Sequence, residues 1–233
     1  MQPTPLSIVM PVLDEAPIID AALRALAPLR RQRVEVIVVD GGSRDATAAK
    51  AAAGADRVVV TPPGRAAQMN AGAAQASGEV LLFLHADTAL PPDAPALVAA
   101  ALSRIDGRSG RTAAWGRFDV RIAGRPRALG VVAALMNLRS RLSGIATGDQ
   151  AMFMTRAAFE AVGGFPDQPL MEDVELSRRL RRLSAPACLR ARVVTSGRRW
   201  EARGVWRTIA LMWRLRLLYS LGVAPERLAR SYR

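Results

Sequence analysis

The chain has a single cysteine, Cys188, a single histidine, His85, and a single lysine, Lys50. One cysteine excludes an internal disulfide and a zinc site built from several thiolates, and it fits a reducing cytoplasm. No apolar run approaches the roughly 20 residues of a membrane-spanning helix. The N-terminal residues show neither the basic nor the apolar region of a signal peptide. We therefore expect a cytoplasmic protein.

Negative charge is scarce relative to positive charge. Lysine and arginine total 33 residues against 20 aspartates and glutamates, which gives a formal net charge of +13. Nucleic-acid binding is the first class that such a balance suggests. The arginines are scattered, however, and the chain has no zinc-finger spacing, no RNP-type aromatic motif and no long basic tract. We predict no nucleic-acid partner, because a phosphorylated substrate or an anionic membrane surface would use the same charge.

Half of the 233 residues are apolar, enough for one sizeable domain with its own core. Strand patterns alternate with helical patterns, which predicts an α/β fold with a mainly parallel, twisted central sheet flanked by helices. The predicted strands are 6–12, 34–39, 57–60, 80–84, 115–122, 151–154 and 188–194. The predicted helices are 18–29, 45–53, 64–76, 94–105, 126–142, 156–162, 171–183 and 204–221. No linker is apparent, so we expect a single domain over 1–233, with 204–233 as a basic helical extension.

Acidic residues follow the apolar strands. Asp14-Glu15 comes after the first, Asp40 ends the second, and Asp87 follows the fourth, while Glu172-Asp173 opens a later helix. Parallel strands place their carboxyl ends at one edge of a sheet, so the first three groups can converge on a crevice of the kind that binds nucleotides. Hard cations prefer oxygen ligands, which makes Asp87 a candidate ligand for Mg²⁺ or Mn²⁺.

Five motifs in order carry a family resemblance. They are Ile8-Val9-Met10-Pro11-Val12-Leu13-Asp14-Glu15, Val38-Val39-Asp40-Gly41-Gly42-Ser43-Arg44-Asp45-Ala46-Thr47, Gly64-Arg65-Ala66-Ala67-Gln68-Met69-Asn70-Ala71-Gly72, His85-Ala86-Asp87 and Met171-Glu172-Asp173. Together they resemble the family 2 glycosyltransferases, which have the GT-A fold. Within that family the chain looks most like the small transferases labelled arsenosugar-biosynthesis or radical-SAM/selenodomain-associated.

The resemblance implies inverting transfer of a sugar from a nucleotide-diphospho-sugar to an acceptor hydroxyl, with Mg²⁺ or Mn²⁺ as cofactor. Asp173 would be the catalytic base, with Glu172 beside it, since a carboxylate can take the acceptor proton. Asp87 would hold the metal that neutralises the departing diphosphate. The donor-binding residues that the resemblance implies are Pro11, Glu15, Asp40, Gly42, Arg65, Asn70, His85, Ala86 and Arg199.

Two positions depart from the family pattern. His85 stands where the family has the first aspartate of its D-x-D motif, which puts metal dependence in question. Ser196 stands where processive members have the glutamine of Q-x-x-R-W, ahead of Arg199 and Trp200. Without that glutamine and without spanning helices, we expect a single transfer rather than a processive one.

Other interpretations stay open. A nucleotidyltransferase would share the crevice and the metal, although Leu13-Asp14-Glu15-Ala16 replaces the Gly-rich loop expected after its first strand. A non-catalytic nucleotide-binding or scaffold protein is a further alternative. Individually, Asp40 could serve only in a turn, Glu172 and Asp173 could only complement a helix dipole, and His85 could be a packed structural histidine. Asp149 is a weak candidate for the acceptor side.

The expected partners are a UDP- or GDP-sugar donor and a small-molecule or lipid acceptor. Specificity is expected in the loops 104–115 and 139–150. In the helix 204–221, tryptophan and leucine lie among arginines, a composition that suits a membrane interface. The alternative is a helix packed on the domain, or on a second subunit of a homodimer.

Overall fold

The structure is a computed structural model, and it describes residues 5–104 and 112–232. Most of the predicted specificity loop 104–115 and the predicted helix end at 105 lie outside the described residues.

Within those two ranges the chain forms eight strands and ten α-helices. The strands are β1 (Leu6–Val12), β2 (Glu35–Asp40), β3 (Arg57–Val60), β4 (Val80–Phe83), β5 (Thr88–Ala89), β6 (Trp115–Ala123), β7 (Phe153–Thr155) and β8 (Ala187–Ser196). The helices are α1 (Ile19–Arg30), α2 (Thr47–Ala52), α3 (Arg65–Gln75), α4 (Ala94–Ser103), α5 (Ala128–Ser143), α6 (Arg156–Ala161), α7 (Glu172–Leu180), α8 (Arg198–Arg203), α9 (Val205–Ser220) and α10 (Pro225–Tyr232). A 3₁₀ turn spans Gly148–Gln150.

The strands form one sheet in the order β3-β2-β1-β4-β7-β6-β8-β5. The first four of these run parallel to one another. β7 runs antiparallel to both β4 and β6, and β5 runs antiparallel to β8, while β6 and β8 are parallel. This arrangement confirms the predicted α/β class with a mainly parallel sheet.

Helices cover both faces of the sheet, as the continuous apolar strands require. Along β1, Ile8 and Met10 belong to one core cluster, together with residues of α1, α4 and α5. Val9, between them, belongs to the other cluster, with residues of α3, α6 and α7. Helix α3 lies so close to β1 that a side chain at Gly72 would overlap Val9. The carboxyl ends of β1, β2 and β4 therefore open beside the start of α3.

Four elements differ from the sequence prediction. The two-residue strand β5 and the short helix α8 were not predicted, and α10 is a separate helix within the predicted helical extension 204–233. In addition, β7 begins at Phe153 rather than at 151, because Ala151 has a left-handed backbone with φ of 44° at the end of the 3₁₀ turn.

The C-terminal helices pack on the domain through one face of α9. Leu215 is 1% exposed and lies in a cluster with Met171, Val174 and Leu228. The opposite face of α9 exposes Trp206 (78%) and other apolar side chains. Among the described residues, no helix is both long enough and apolar enough to cross a membrane.

Candidate active site

The ends of β1 and β2 are tied together by Gln68 of α3, a residue that sequence analysis did not single out. Its buried side-chain amide donates hydrogen bonds to the carbonyls of Val12 and Val39, each at 2.8 Å. A side chain at Gly41 would approach the same amide to 3.1 Å. Gln68 thus fixes the two strand ends at which the predicted donor site begins.

Asp14 and Asp40 hold the loops that follow these strands. Asp14 has a left-handed backbone, with φ of 52°, and its carboxylate accepts the Arg44 N–H at 2.8 Å. Asp40 is buried, and its carboxylate accepts hydrogen bonds from both the N–H and the hydroxyl of Ser43. Gly42 has φ of 83°, which favours glycine at this turn. The structure shows a turn-stabilising role for Asp40, and its contact with the donor stays a prediction.

Glu15 and Asp87 lie on one side of the crevice. Arg198 pairs with Glu15 at 3.6 Å. Burial raises the pKa of Glu15, and the charge of Asp87 raises it further, against the opposing charges of Arg198 and Arg65. The side chain of Asp87 accepts a 3.3 Å hydrogen bond from Thr88, and its carbonyl accepts the Ser196 N–H. The predicted metal ligand therefore lies beside a second carboxylate.

Arg65, the first residue of α3, lies between the two groups of acids. Desolvation lowers the pKa of Arg65. The charges of Glu172, Tyr232, Asp149 and Asp173 together outweigh that effect, so the net shift of the pKa is upward. Arg65 is thus a permanent cation that faces both Glu15 and the acids of α7. A guanidinium in this position suits a diphosphate, which it can bind through two parallel hydrogen bonds.

Glu172 and Asp173 form the first turn of α7. The carboxylate of Asp173 accepts the Gly148 N–H at 2.9 Å and the Val174 N–H at 2.7 Å. Glu172 is 7% exposed, and burial raises its pKa, with a further contribution from the charge of Asp173. Asp173 is more exposed than its neighbour and carries the hydrogen bonds that orient it.

His85 joins the same group through the 3₁₀ turn. A side chain at Gly148 would lie 2.5 Å from the His85 ring, so the imidazole packs directly on that glycine. The Nδ1 atom of His85 lies 3.5 Å from the Asp149 carboxylate. Burial raises the pKa of Asp149, but the hydrogen bond and charge of His85 lower it more, helped by Arg65 and Arg199. His85 is therefore packed and paired at the edge of the pocket.

A small pocket brings most of these side chains together. Its walls are Arg65, His85, Gly148, Glu172 and Asp173, above an apolar floor. The floor residues are Met69, Phe83, Met152 and Phe165.

Asn70 supports this floor rather than lining the pocket. Its amide exchanges two hydrogen bonds with the backbone of Phe165, at 2.8 and 2.9 Å. Both ends of the side chain are thereby engaged, so a direct contact between Asn70 and the donor stays a prediction.

Three other predicted donor residues are placed differently. Pro11 pairs in register with Val39 near the end of β1 and is half-buried. The side chain of Ala86 contributes to the core, which leaves its backbone for ligand contact. Arg199 hydrogen-bonds the Tyr232 hydroxyl, with its guanidinium 5.3 Å from the ring centre. The C-terminal helix α10 thus reaches back to the site.

The amino-acid sequence matches the family described as glycosyl transferase family 2 over residues 7–159. It is also 32% identical over 183 residues to an uncharacterized glycosyltransferase of Mycobacterium tuberculosis, covering 74% of this chain and 68% of that protein. The chain belongs to glycosyl transferase family 2. Its reaction class is therefore glycosyl transfer from a nucleotide sugar, rather than the nucleotidyl transfer held as an alternative.

Solved structures share the fold of the transferase at low sequence identity. A mannosyltransferase from Pyrobaculum calidifontis, in complex with GDP-Man and Mn²⁺, superposes with a TM-score of 0.60 at 22% identity. The match covers 82% of the transferase but only 56% of that protein. TarS from S. aureus, in complex with UDP, gives 0.64 at 18% identity, over 82% and 60% of the two chains. These matches support the GT-A fold.

A third solved structure is glucosyl-3-phosphoglycerate synthase from Mycobacterium tuberculosis, in complex with Mn²⁺, UDP and phosphoglyceric acid. It has a TM-score of 0.58 at 22% identity, and the match covers 82% of the transferase and 69% of that protein.

The carboxylate ligands of the transferase suit a metal ion that binds together with the nucleotide-sugar substrate. The described residues contain no group of three or more histidine, cysteine, aspartate or glutamate side chains placed to hold a metal ion. Asp87, with Glu15 nearby, offers carboxylate oxygens only. Mg²⁺ is commonly bound by one or two carboxylates together with substrate phosphates and water. The residues present therefore fit a metal held jointly by Asp87 and a diphosphate.

Proposed function

We propose that the transferase catalyses a single, inverting sugar transfer from a UDP- or GDP-sugar to an acceptor hydroxyl. One observation carries the proposal: Asp173 lies in one pocket with Arg65, and Arg65 also faces the Glu15 and Asp87 side of the crevice. A base, a diphosphate-binding cation and a metal-binding carboxylate are thereby arranged around one space. This is the set of groups that direct displacement at an anomeric carbon needs.

Asp173 acts as the base in this proposal. Its two hydrogen bonds from backbone N–H groups hold the carboxylate in a fixed orientation toward the pocket. The acceptor hydroxyl gives its proton to Asp173, and its oxygen attacks the anomeric carbon while the bond to the diphosphate breaks on the opposite face. Attack and departure on opposite faces invert the configuration. Glu172 is buried beside Asp173, and burial, together with the charge of Asp173, raises its pKa.

The leaving group is bound at the other end of the crevice. Arg65 would contact the diphosphate, and Asp87 would hold Mg²⁺ or Mn²⁺, which supplies charge neutralisation as the diphosphate departs. Glu15, Asp40, Gly42 and Pro11 would surround the nucleoside. The complexes of the mannosyltransferase with GDP-Man and Mn²⁺ and of TarS with UDP support this choice of donor and metal.

The base assignment is tested by replacing Asp173 with asparagine, which keeps the shape and removes the charge. We expect acceptor-dependent turnover to fall by at least about a hundredfold, a typical contribution of a general base. Nucleotide binding should stay within a few-fold of wild type. Asp167→Asn, an exposed aspartate in the preceding loop, is the matched control. Unchanged turnover in Asp173→Asn would reject this mechanism.

The cellular setting is part of the same proposal. We infer a cytoplasmic enzyme related to the arsenosugar-biosynthesis or selenodomain-associated subgroup, acting on a small-molecule or lipid acceptor. The face of α9 that exposes Trp206 and Trp213 supports a peripheral membrane contact. A homodimer through the same face is the competing arrangement.

A further inference from the structure

Two arginines from separate helices lie beside the proposed base without an anionic partner. Arg139 belongs to α5 and Arg216 to α9. The Nη2 atom of Arg139 is buried and has no hydrogen-bond partner among residues 5–104 and 112–232. Arg216 likewise forms no ion pair within those ranges. Both residues are partly buried. Desolvating a cation without a partner is costly, so this pair requires an explanation.

Packing places both arginines at the start of α7. Leu215 packs against Met171 and Val174, which brings the next residue, Arg216, to the end of α7 that carries Asp173. Arg139 lies near the end of α5, just before the segment that leads to the 3₁₀ turn. The Ser177 hydroxyl accepts the Ala146 N–H at 3.1 Å and so attaches that segment to α7.

The two guanidiniums interact electrostatically with the proposed base, and Arg216 also acts on Arg139. Burial, together with the nearby charges of Arg216 and Arg117, lowers the pKa of Arg139 to about 10, against the opposing charge of Asp173. Burial also lowers the pKa of Arg216, with Asp173 and Asp149 opposing. Two partly desolvated cations thus repel each other next to one shared carboxylate.

Two other arginines, Arg117 and Arg141, have a structural role and serve as a comparison. Arg117 and Arg141 share the carboxylate of Asp119, and Arg117 also donates to the Asn137 carbonyl at 3.2 Å. These arginines have carboxylate partners within hydrogen-bond distance, whereas the acids that act on the other pair are Asp173 for Arg139, and Asp173 and Asp149 for Arg216. An added anion would relieve the repulsion within the unpartnered pair.

We propose that Arg139 and Arg216 bind an anionic group of the acceptor, a phosphate or a carboxylate, and so bring its hydroxyl to Asp173. The inference rests on the proposed function, because it assumes that Asp173 is the base. We place the two arginines on the acceptor side because both interact with the proposed base Asp173. The cations that act on Glu15, on the donor side, are Arg198 and Arg65. Guanidinium groups bind both anions through paired hydrogen bonds.

The test is calorimetric titration of the full chain, preloaded with UDP or GDP and Mn²⁺, with inorganic phosphate and then with glycerol 3-phosphate. We expect saturable binding of both, weakened about tenfold or more in Arg139→Gln and in Arg216→Gln, because each loses a charged hydrogen bond. Nucleotide affinity should stay within twofold. Arg24→Gln, an exposed arginine of α1, is the control. A thermal transition at or above that of wild type would show that the variants are folded.

The possible results of this titration test the anion site at Arg139 and Arg216 separately from the proposed glycosyl transfer. Phosphate affinity that is the same in wild type and both variants would mean an adventitious ion only and would overturn the anion site. A tenfold loss of nucleotide affinity in the variants would overturn it too, by assigning the pair to the donor diphosphate. If no nucleotide binds but phosphate binding still depends on the pair, the proposed function fails while the anion site stands.

A second arm distinguishes a soluble acceptor from a lipid one. Vesicles of phosphatidylglycerol, whose headgroup carries both phosphate and hydroxyls, are compared with phosphatidylcholine vesicles in competition with glycerol 3-phosphate. Displacement by phosphatidylglycerol that is lost in Arg139→Gln identifies a lipid headgroup at the pair. Binding of glycerol 3-phosphate without such displacement identifies a soluble phosphate ester.

Discussion

Gly148 is a single residue that contacts both His85 and the proposed base Asp173. Its N–H holds Asp173, and the His85 ring occupies the space where a side chain would project. Alanine at this position would push the imidazole away and shift the turn that orients the base. A displacement of about 1 Å can cost two orders of magnitude in rate.

We therefore expect Gly148→Ala to lower kcat/KM by about a hundredfold while the protein remains folded. Gly130→Ala is the matched control, because no atom lies within 4 Å of a side chain added there, on an exposed position of α5. That control should keep its activity and gain roughly 0.5–1 kcal/mol of stability, since alanine is the better helix former. Full activity in Gly148→Ala would disprove the role of the His85–Gly148 contact.

Glu172 predicts a pH dependence of stability. Its pKa in the folded state is raised above the ordinary 4.5, so the folded protein binds this proton more tightly than the unfolded chain does. The contribution of Glu172 to stability is therefore complete below pH 4.5 and is lost as the pH rises through the raised pKa.

Glu172→Gln should consequently raise the Tm relative to wild type at pH 7, with a gain that shrinks toward zero near pH 4.5. Paired thermal melts of the two proteins between pH 4 and pH 8 measure this difference. A gain that is independent of pH would indicate packing rather than ionisation.

The sequence predicted which residues belong to the candidate site more readily than it predicted which side chains they contact. The acids at 15, 87, 172 and 173 were identified from their positions after strands and at a helix start. The pairing of His85 with Asp149, and the approach of Arg139 and Arg216 to Asp173, depend on tertiary packing of α5, α7 and α9, which no local pattern encodes.

At the scale of elements, Gln68 is the link between α3 and the sheet. Gln68→Met would leave the carbonyls of Val12 and Val39 without this donor. We expect a loss of about 1–3 kcal/mol, the usual cost of an unsatisfied buried group, measured by urea denaturation. Gln75→Met, on the exposed end of the same helix, should change stability by no more than about 0.5 kcal/mol. Equal effects of the two substitutions would contradict the account.

Helix α9 divides its two faces between the core and the surface. The face that carries Leu215 is part of the core, so truncation before α9 would damage the fold. The other face exposes Trp206 and Trp213, at 78% and 74%, with Arg207 and Arg214 adjacent in sequence. Tryptophan beside arginine suits the headgroup region of an anionic bilayer.

We expect the wild-type protein to float with phosphatidylglycerol vesicles. The double variant Trp206→Gln/Trp213→Gln should lose most of that binding. Val60→Gln, an exposed apolar residue of β3, is the control. If the double variant floats as wild type does, the membrane contact is absent. If the same substitutions convert a dimer to a monomer in sedimentation, the face belongs to a subunit interface.

Secondary structure was predictable where periodicity was strong. The parallel strands β1 to β4 and their helices match because long apolar runs alternate with amphipathic segments. The two-residue β5 has no readable period, and α10 buries only Leu228 among its eight residues. The antiparallel insertion of β7 between β4 and β6 is a property of the whole sheet rather than of its own three residues.

At the scale of the whole molecule, we propose that the net charge of +13 serves anionic ligands rather than nucleic acid. Arg65 faces the proposed diphosphate, the pair Arg139 and Arg216 faces the acceptor, and α9 displays arginines toward a proposed membrane surface. Family membership gives the reaction class, and the geometry of the crevice supports the proposed assignment of individual residues to donor and acceptor sides.

The most direct measurement of the central claim is calorimetric titration of the full chain with UDP-, GDP- and dTDP-sugars, with and without Mn²⁺. We expect saturable binding of one nucleotide class, strengthened by Mn²⁺ in wild type but not in Asp87→Asn. We also expect unchanged affinity in the control Asp93→Asn, an exposed aspartate before α4. Absence of binding by all three donors, or an equal effect of Mn²⁺ on wild type and Asp87→Asn, would contradict the central claim.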